Sequence, residues 1–312
     1  LPLVSVVMSV YNGRPYLVKA VKSILAQTFR DFEFIIIDDG STDGSIEDLK
    51  RYAAHDSRIR LVIQENRGLT KSLNTGLKLA CGKYIARMDA DDISLPTRLQ
   101  KQVAYLENNP SIAAVGCFAI IIDELGLKIA RWNLFTSHKE IDNHNMKGLG
   151  GGIIHPSVMM RKEIVISIGG YNDDLIVAQD FDLWLRLAEV SKLANLPDYC
   201  LLYRRQLGSI SIKKIEEQLR TALFIHTKAC ARRGKTYSFE YDINKLSSQH
   251  KDRISIRMQW INDAKYFGYS LISHNTTLDD KVVVKKYFEK DIVERSFKQM
   301  KGVLSLRPIR VW

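Results

Sequence analysis

The chain has 312 residues, 46% of them hydrophobic and 26% charged, and carries a formal net charge of +11. That composition supplies one large core or two modest ones and speaks against a disordered chain. The positive balance favours an anionic partner (nucleic acid, an anionic membrane surface or a phosphorylated small molecule) and by itself does not choose among them.

The first hundred residues alternate short β-branched runs with apolar positions spaced three or four apart, the pattern of βαβ units on a parallel sheet. "VSVVMSV" reads as the first strand. In the following "RPYLVKAVKSILAQTF", Leu17, Val21, Ile24, Leu25 and Phe29 form one helical face, with Pro15 in the first turn. "EFIII" and "RLVIQ" are the second and third strands. "LTKSLNTGLKLA" is a helix with Leu69, Leu73, Leu77 and Ala80 on one side, stopped by Gly82. "KYIARM" is the fourth strand, and "LPTRLQKQVAYLENNP", bounded by prolines and repeating Leu99, Val103 and Leu106, is another helix. "IAAVGCFAIII" ends at Asp123, short of the roughly 20 residues that span a bilayer, and reads as a buried strand. The Gly-rich "KGLGGGIIHPS" is a loop entering the strand "SVMM". From residue 213 onward the sequence is basic and helix-compatible with interspersed aromatics, which predicts a separate helical extension. There is no internal repeat.

Cys81, Cys117, Cys200 and Cys230 are scattered without CxxC or His-rich spacing, so neither zinc nor a disulfide framework is expected, and a reducing cytoplasm fits. No charged-then-apolar leader pattern opens the sequence.

Two strands end in acid: "IIIDDGSTDGS" leaves the second and "ARMDADD" the fourth. Ligands of open α/β sheets bind beyond the carboxyl ends of the strands, so these acids can face one crevice. Each has a plainer reading. Asp38 through Asp43 is turn chemistry that caps the next helix, and Asp92 and Ser94 precede a helix they could cap. The functional reading places Asp89 and Asp91, alternate residues on an extended chain, against a divalent cation that bridges phosphates. The first βα turn, "SVYNGRPY", has the single Gly13 where a dinucleotide fingerprint needs three glycines, and no GxxxxGK[ST] loop occurs. A phosphate ligand must then be held mainly through metal.

"VSVVMSVYNGRPYLVKAVKSILAQTFRDFEFIIIDDGSTDGS", "ENRGLTKSLNTGLKLACGKYIARMDADD", "AQDFDLWLRL" and "YRRQLGSIS", in matching order over about residues 3 to 211, together resemble the family 2 glycosyltransferases, inverting enzymes of the GT-A fold. The resemblance implies an α/β chain with a single Rossmann-like mixed sheet sandwiched by helices. Residues 1–212 would form the catalytic domain, with a nucleotide-sugar half at 1–92 and an acceptor half at 93–212, and 213–312 the basic helical extension. It implies a nucleotide-sugar donor, usually a UDP-sugar, and a divalent metal, Mn2+ or Mg2+.

Carried over by position, Val10, Tyr11 and Asn12 line the nucleotide pocket and Asp39 hydrogen-bonds the uracil. Arg67 and Lys71 meet the base or phosphates, or are solvated helix charges. Asp89 lies near the ribose or sugar, Ala90 follows it, and Asp91 ligates the metal with Asp92 beside it. Asp180 is the general base, a role compatible with N-capping its helix. Gln179 departs from the family's usual glutamate, which bears on acceptor contacts. His155 and Trp184 are acceptor-side candidates that read equally as a satisfied structural histidine and a core aromatic. Gln206 stands where relatives often carry histidine, so Arg204, Arg205 or nothing replaces that metal or phosphate contact.

The implied acceptor is a hydroxyl of a glycan or of a lipid-linked acceptor, as in surface polysaccharide or glycoconjugate synthesis, with no nucleic acid. Lys213, Lys214, Arg232, Arg233, Lys285, Lys286 and Arg310, mixed with Phe224, Tyr266, Phe267 and Tyr287, could form a solvated face or rest on anionic lipid at the cytoplasmic side of a membrane. Two other classes stay open. A sugar-phosphate nucleotidyltransferase typically has a glycine-rich, lysine-containing first loop, which this chain lacks, and a basic binding module would show salt-sensitive binding indifferent to Asp180→Asn.

Overall fold

The computed structural model describes residues 1–148, 150–205 and 215–235. In chain order the elements are β1 (Val4–Val10), α1 (Leu17–Leu25), β2 (Phe32–Asp38), α2 (Ser45–His55), β3 (Ile59–Ile63), α3 (Leu69–Leu79), β4 (Tyr84–Met88), β5 (Ile93–Ser94) and α4 (Arg98–Asn108). They continue with β6 (Ile112–Ile122), β7 (Lys128–Trp132), α5 (His138–Asn145), a 3-10 turn (His155–Ser157), β8 (Met159–Arg161), α6 (Lys162–Ser167), α7 (Gln179–Val190), β9 (Lys192–Arg204) and α8 (Ile215–Arg232).

The nine strands make one mixed sheet in the order β3-β2-β1-β4-β8-β6-β9-β5, with β7 also paired to β6. Strands β1 to β4 run parallel to one another, and β8 is antiparallel to both β4 and β6. Register fixes where a ligand can sit. Val10 pairs with Asp38, and Met8 lies beside both Ile36 and Met88, so the loops leaving β1, β2 and β4 emerge at one edge.

Both faces of the sheet are covered, which is why its strands are near-continuous apolar runs rather than alternating ones. On one face Val4, Val6, Met8, Phe34, Ile36, Tyr84, Ala86 and Met88 pack against α1 and α4. On the other, Val7, Ile35, Ile37 and Ile85 pack against α3 and α7. Helix α3 approaches closely because Gly76 has no side chain, and a Cβ there would lie 2.3 Å from Val7 Cγ1. Gly76→Ala is therefore expected to destabilise the fold by about 1–3 kcal/mol despite alanine's better helix propensity, as read by urea unfolding.

Some boundaries differ from the sequence reading, each for a tertiary reason. Pro15 lies ahead of α1, whose N-cap is Tyr16, rather than in its first turn. The helix stops before Phe29 because Gln27 turns inward and its Nε2 donates to Leu95 O at 2.8 Å, while Thr28 N donates to Pro96 O at 2.8 Å. Residues after the aspartates form β5, antiparallel to β9, so α4 starts at Arg98 with Thr97 as its cap rather than Asp92 or Ser94. The stretch read as the start of the strand "SVMM" is partly the 3-10 turn His155–Ser157, and β8 begins at Met159.

Helix α8, read as part of the extension, packs Ile225 and Ala229 against Leu175, Phe181 and Leu185. Two of the basic residues offered to lipid are engaged internally: Arg232 pairs with Glu189, and Arg233 with Asp142 and Glu189. Residues 236–312, with the aromatics and remaining basic positions singled out there, and Lys213, Lys214 and Gln206 lie outside the described residues. Among the described residues no helix is long and apolar enough to cross a membrane.

Candidate active site

The loop after β1 is clasped to the loop after β2. Asn12 adopts a left-handed conformation with φ 52°. Its N–H donates to Ser41 Oγ at 3.0 Å, and its Oδ1 accepts from Thr42 N at 2.8 Å. Gly13 N donates to Ser45 Oγ at 3.0 Å. Val10 is buried beneath this clasp and Tyr11 is exposed above it. Asp38 accepts from Ser41 N at 3.0 Å, the turn bond its sequence context predicts.

Asp39 is 2% exposed and orders the neighbouring loop. Its Oδ1 accepts from Gln64 Nε2 at 2.7 Å and Arg67 N at 2.9 Å, and its Oδ2 from Gly68 N at 2.8 Å. Burial pushes its pKa up, but these bonds, with one from Ser72, outweigh it and hold the carboxyl below the usual range. A carboxylate offers about four acceptor positions, and these four bonds occupy them. The side chains of Arg67 and Lys71 are exposed.

Beyond β4, carboxylate oxygens of Asp89, Asp91 and Asp92 lie within 4.8 Å of one another. Two arginines, Arg87 and Arg204, hold them. Asp89 is ion-paired with Arg87. Asp92, 1% exposed, accepts from Arg204 N at 2.7 Å, and its Oδ2 has no hydrogen-bond partner among the described residues. The Asp91 carbonyl accepts from Arg204 Nε at 2.8 Å. The same guanidinium bonds Asp123 O at 2.7 Å and stacks 4.3 Å from the Tyr16 ring centroid. Arg204 therefore fastens the acidic loop through main-chain bonds rather than facing a phosphate, and Arg205 lies over the Trp132 ring. Burial, then the charges of Asp91 and Asp89, push the Asp92 carboxyl well up. A cluster with an orphaned buried oxygen and mutual repulsion of this kind suits a proton or a hard divalent cation, so the donor set fits Mn2+ or Mg2+.

Helix α7 points its N-terminal turn at this edge. Ala178, in the left-handed region with φ 56°, is the N-cap, and Gln179 opens the helix. Asp180 thus sits within the first turn instead of at the cap, and its Oδ1 accepts from Phe181 N at 2.9 Å. Burial raises its pKa and the charge of Asp89 raises it further, opposed by the Phe181 N–H and by Arg87. Asp180 and the β4 cluster therefore share one electrostatic environment, which also includes Tyr171.

Three acceptor-side candidates are buried. Trp184 is 0% exposed and has no surface to offer an acceptor. His155 Nε2 lies 2.8 Å from Tyr171 Oη, with its ring edge-on to Trp184, and burial with the charge of Arg87 pushes its pKa well down. It is a neutral structural histidine. Gln179 is 6% exposed at the start of α7, leaving little surface for an acceptor. The sequence reading passed over Arg87, Tyr171 and the fastening role of Arg204. The one signal for Arg87 was a charge inside the otherwise apolar run "KYIARM".

Comparison with known proteins agrees with this architecture. Residues 5–169 match the Glycosyl transferase family 2 profile. EpsE of Bacillus subtilis (strain 168), which bears a glycosyltransferase name, is 35% identical over 236 residues, covering 74% of this chain and 83% of EpsE. The amylovoran biosynthesis glycosyltransferase AmsE of Erwinia amylovora is 33% identical over 214 residues, 67% of this chain and 78% of AmsE. Among solved structures, Staphylococcus aureus TarS 1-349, crystallised with UDP-GlcNAc, superposes with a TM-score of 0.61 at 18% identity, covering 84% of this chain and 73% of TarS. The mixed sheet between helices is the GT-A fold, and the chain is a glycosyltransferase that belongs to family 2.

Proposed function

We propose that the enzyme transfers a sugar from a nucleotide-sugar donor, a UDP-sugar in the first instance, to a hydroxyl of a glycan or of a lipid-linked acceptor, with inversion at the anomeric carbon. The observation that carries this reading is the group of Asp89, Asp91 and Asp92 carboxylates within 4.8 Å of one another, at the sheet edge where the loops leaving β1, β2 and β4 meet. Residues 1–92 supply the donor side and 93–212 the acceptor side. The names of AmsE and of the O-antigen biosynthesis glycosyltransferase WbnJ of Escherichia coli, 33% identical over 212 residues, support a polymer-forming context.

Val10, Tyr11 and Asn12 border the nucleoside, and Asp39 accepts a hydrogen bond from the base in exchange for one of its present partners. The exposed Arg67 and Lys71 reach the base or diphosphate, whose negative charge suits two cations. Asp91, with Asp92 beside it, would hold a divalent ion, which would supply positive charge where the leaving diphosphate develops negative charge. Asp180 accepts the proton of the acceptor hydroxyl as the oxygen attacks the anomeric carbon from the face opposite the leaving group. The new C–O bond forms while the bond to the diphosphate breaks. Products are the glycoside and the nucleoside diphosphate, and Asp180 afterwards releases its proton to water. Burial raises the affinity of Asp180 for that proton, which suits a base working near neutral pH.

A panel of UDP-, GDP- and dTDP-sugars tested by thermal shift with Mn2+ checks the donor. One nucleotide sugar at about 100 times its Kd is expected to stabilise the fold by roughly 2.7 kcal/mol, and to release its nucleoside diphosphate faster when an acceptor is added. Pyrophosphate formation from a nucleoside triphosphate and a sugar phosphate would instead identify a nucleotidyltransferase.

A further inference from the structure

Strand β4 alternates between the two faces of the sheet. Tyr84, Ala86 and Met88 pack on the α1 and α4 side, so Ile85, Arg87 and Asp89 take the side of α3 and α7. That parity places a guanidinium, 2% exposed, inside the sheet layer directly before the acidic loop. A buried cation needs a counter-charge, and the structure gives Arg87 one ion-pair partner among the described residues, Asp89, two positions along the same face. Neither its Nε nor its Nη1 has a hydrogen-bond partner among the described residues, so its burial is compensated by charge, first that of Asp89 and then that of Asp92. The carboxylate side is different: Asp89 is partly exposed, at 32%, and has two other acids within 4.8 Å.

From this arrangement we infer that Arg87 is a positioning residue of the cation site, whose guanidinium retains Asp89 as an internal partner and leaves the divalent ion to Asp91 and Asp92. This rests on the reading, given above, that the cluster holds a cation. The pair contributes no net charge, so Asp89 adds none to what the ion meets. The pairing also constrains the direction in which the chain leaves β4, because it ties Asp89, the first residue past the strand, back to the buried Arg87. Arg87 further lies in the fields of Tyr171, His155 and Asp180.

The test is a titration of the protein with Mn2+ alone, without donor, following the free-ion EPR signal. Arg87→Met is expected to bind Mn2+ at least about tenfold more tightly than the wild type, because it exposes the charge of Asp89 to the ion. Arg87→Lys, which keeps the positive charge, is expected to stay within roughly threefold of the wild type. The decisive variant is Arg87→Met combined with Asp89→Asn, which replaces the pair by uncharged groups of similar size and folds even where the single variant fails. Its affinity is expected to fall within about threefold of the wild type. A loss of about tenfold or more in that double variant would make Asp89 a ligand of the ion and overturn the inference while leaving the cation reading intact. An Arg87→Met protein that is folded by circular dichroism and binds Mn2+ no more tightly would overturn it as well. Failure of the wild type to bind Mn2+ at all would bring down both readings together.

Discussion

Asp180→Asn is expected to lower kcat by about 10²–10⁴-fold while leaving Mn2+-supported donor binding unchanged. The substitution keeps size and an oxygen able to accept from Phe181 N, now at 2.9 Å, so the first turn of α7 should hold its shape. What it removes is the ability to take a proton from an alcohol whose own pKa lies far above neutrality. The pH profile supplies an independent readout. In the wild type the rate should fall on acidification through a pKa above the ordinary carboxylate range, because burial and then Asp89 raise it. That limb should vanish in the variant.

Stability moves the other way. A carboxyl whose folded pKa is raised binds its proton more tightly in the native state, so its contribution to stability is present at low pH. It is lost as pH climbs from the unfolded value through the folded one. At neutral pH Asp180 is therefore a net cost to the fold, and Asp180→Asn should melt no lower than the wild type. Lost turnover without lost stability is the pattern of a residue retained for chemistry. A variant that melts lower and keeps its rate would make Asp180 a helix-end residue and nothing more.

The strands were readable from sequence for a simple reason: a parallel sheet covered on both faces demands unbroken apolar runs, and "VSVVMSV", "EFIII" and "KYIARM" satisfy that demand locally. The acids at their ends were readable because charge cannot continue such a run. Arg87 was not, since whether an arginine in an apolar strand faces solvent or the interior depends on what covers that face, here α3 and α7. His155 and Trp184 show the same limit. Their burial comes from Tyr171 and the sheet behind them, contacts set by tertiary packing and invisible to any motif. Arg204 could be named from sequence but not assigned, because its partners Asp91, Asp92 and Asp123 come from two other loops. Arg232 and Arg233 looked like surface charge until α8 laid them beside Glu189 and Asp142.

Asp91→Asn is expected to cost roughly 10³-fold or more in kcat/KM, corresponding to the several kcal/mol that charge stabilisation of a leaving diphosphate contributes. Unlike Asp180→Asn, it should also abolish the dependence of donor affinity on Mn2+, so that variant and wild type bind donor alike only in EDTA. The three acids of the loop should not respond equally. Asp92 is almost wholly enclosed, receives the Arg204 N–H, and already has its carboxyl pushed well up by burial and its neighbours. Asn in its place keeps the acceptor for that N–H and removes one repulsive charge, so Asp92→Asn should retain more activity than Asp91→Asn and be at least as stable at neutral pH. Were the two variants to lose activity to the same extent, with Mn2+ affinity untouched in both, the loop would be a structural hinge for β4 and β9. The chemistry would then have to be sought at Asp180 and the first-turn groups of α7 alone.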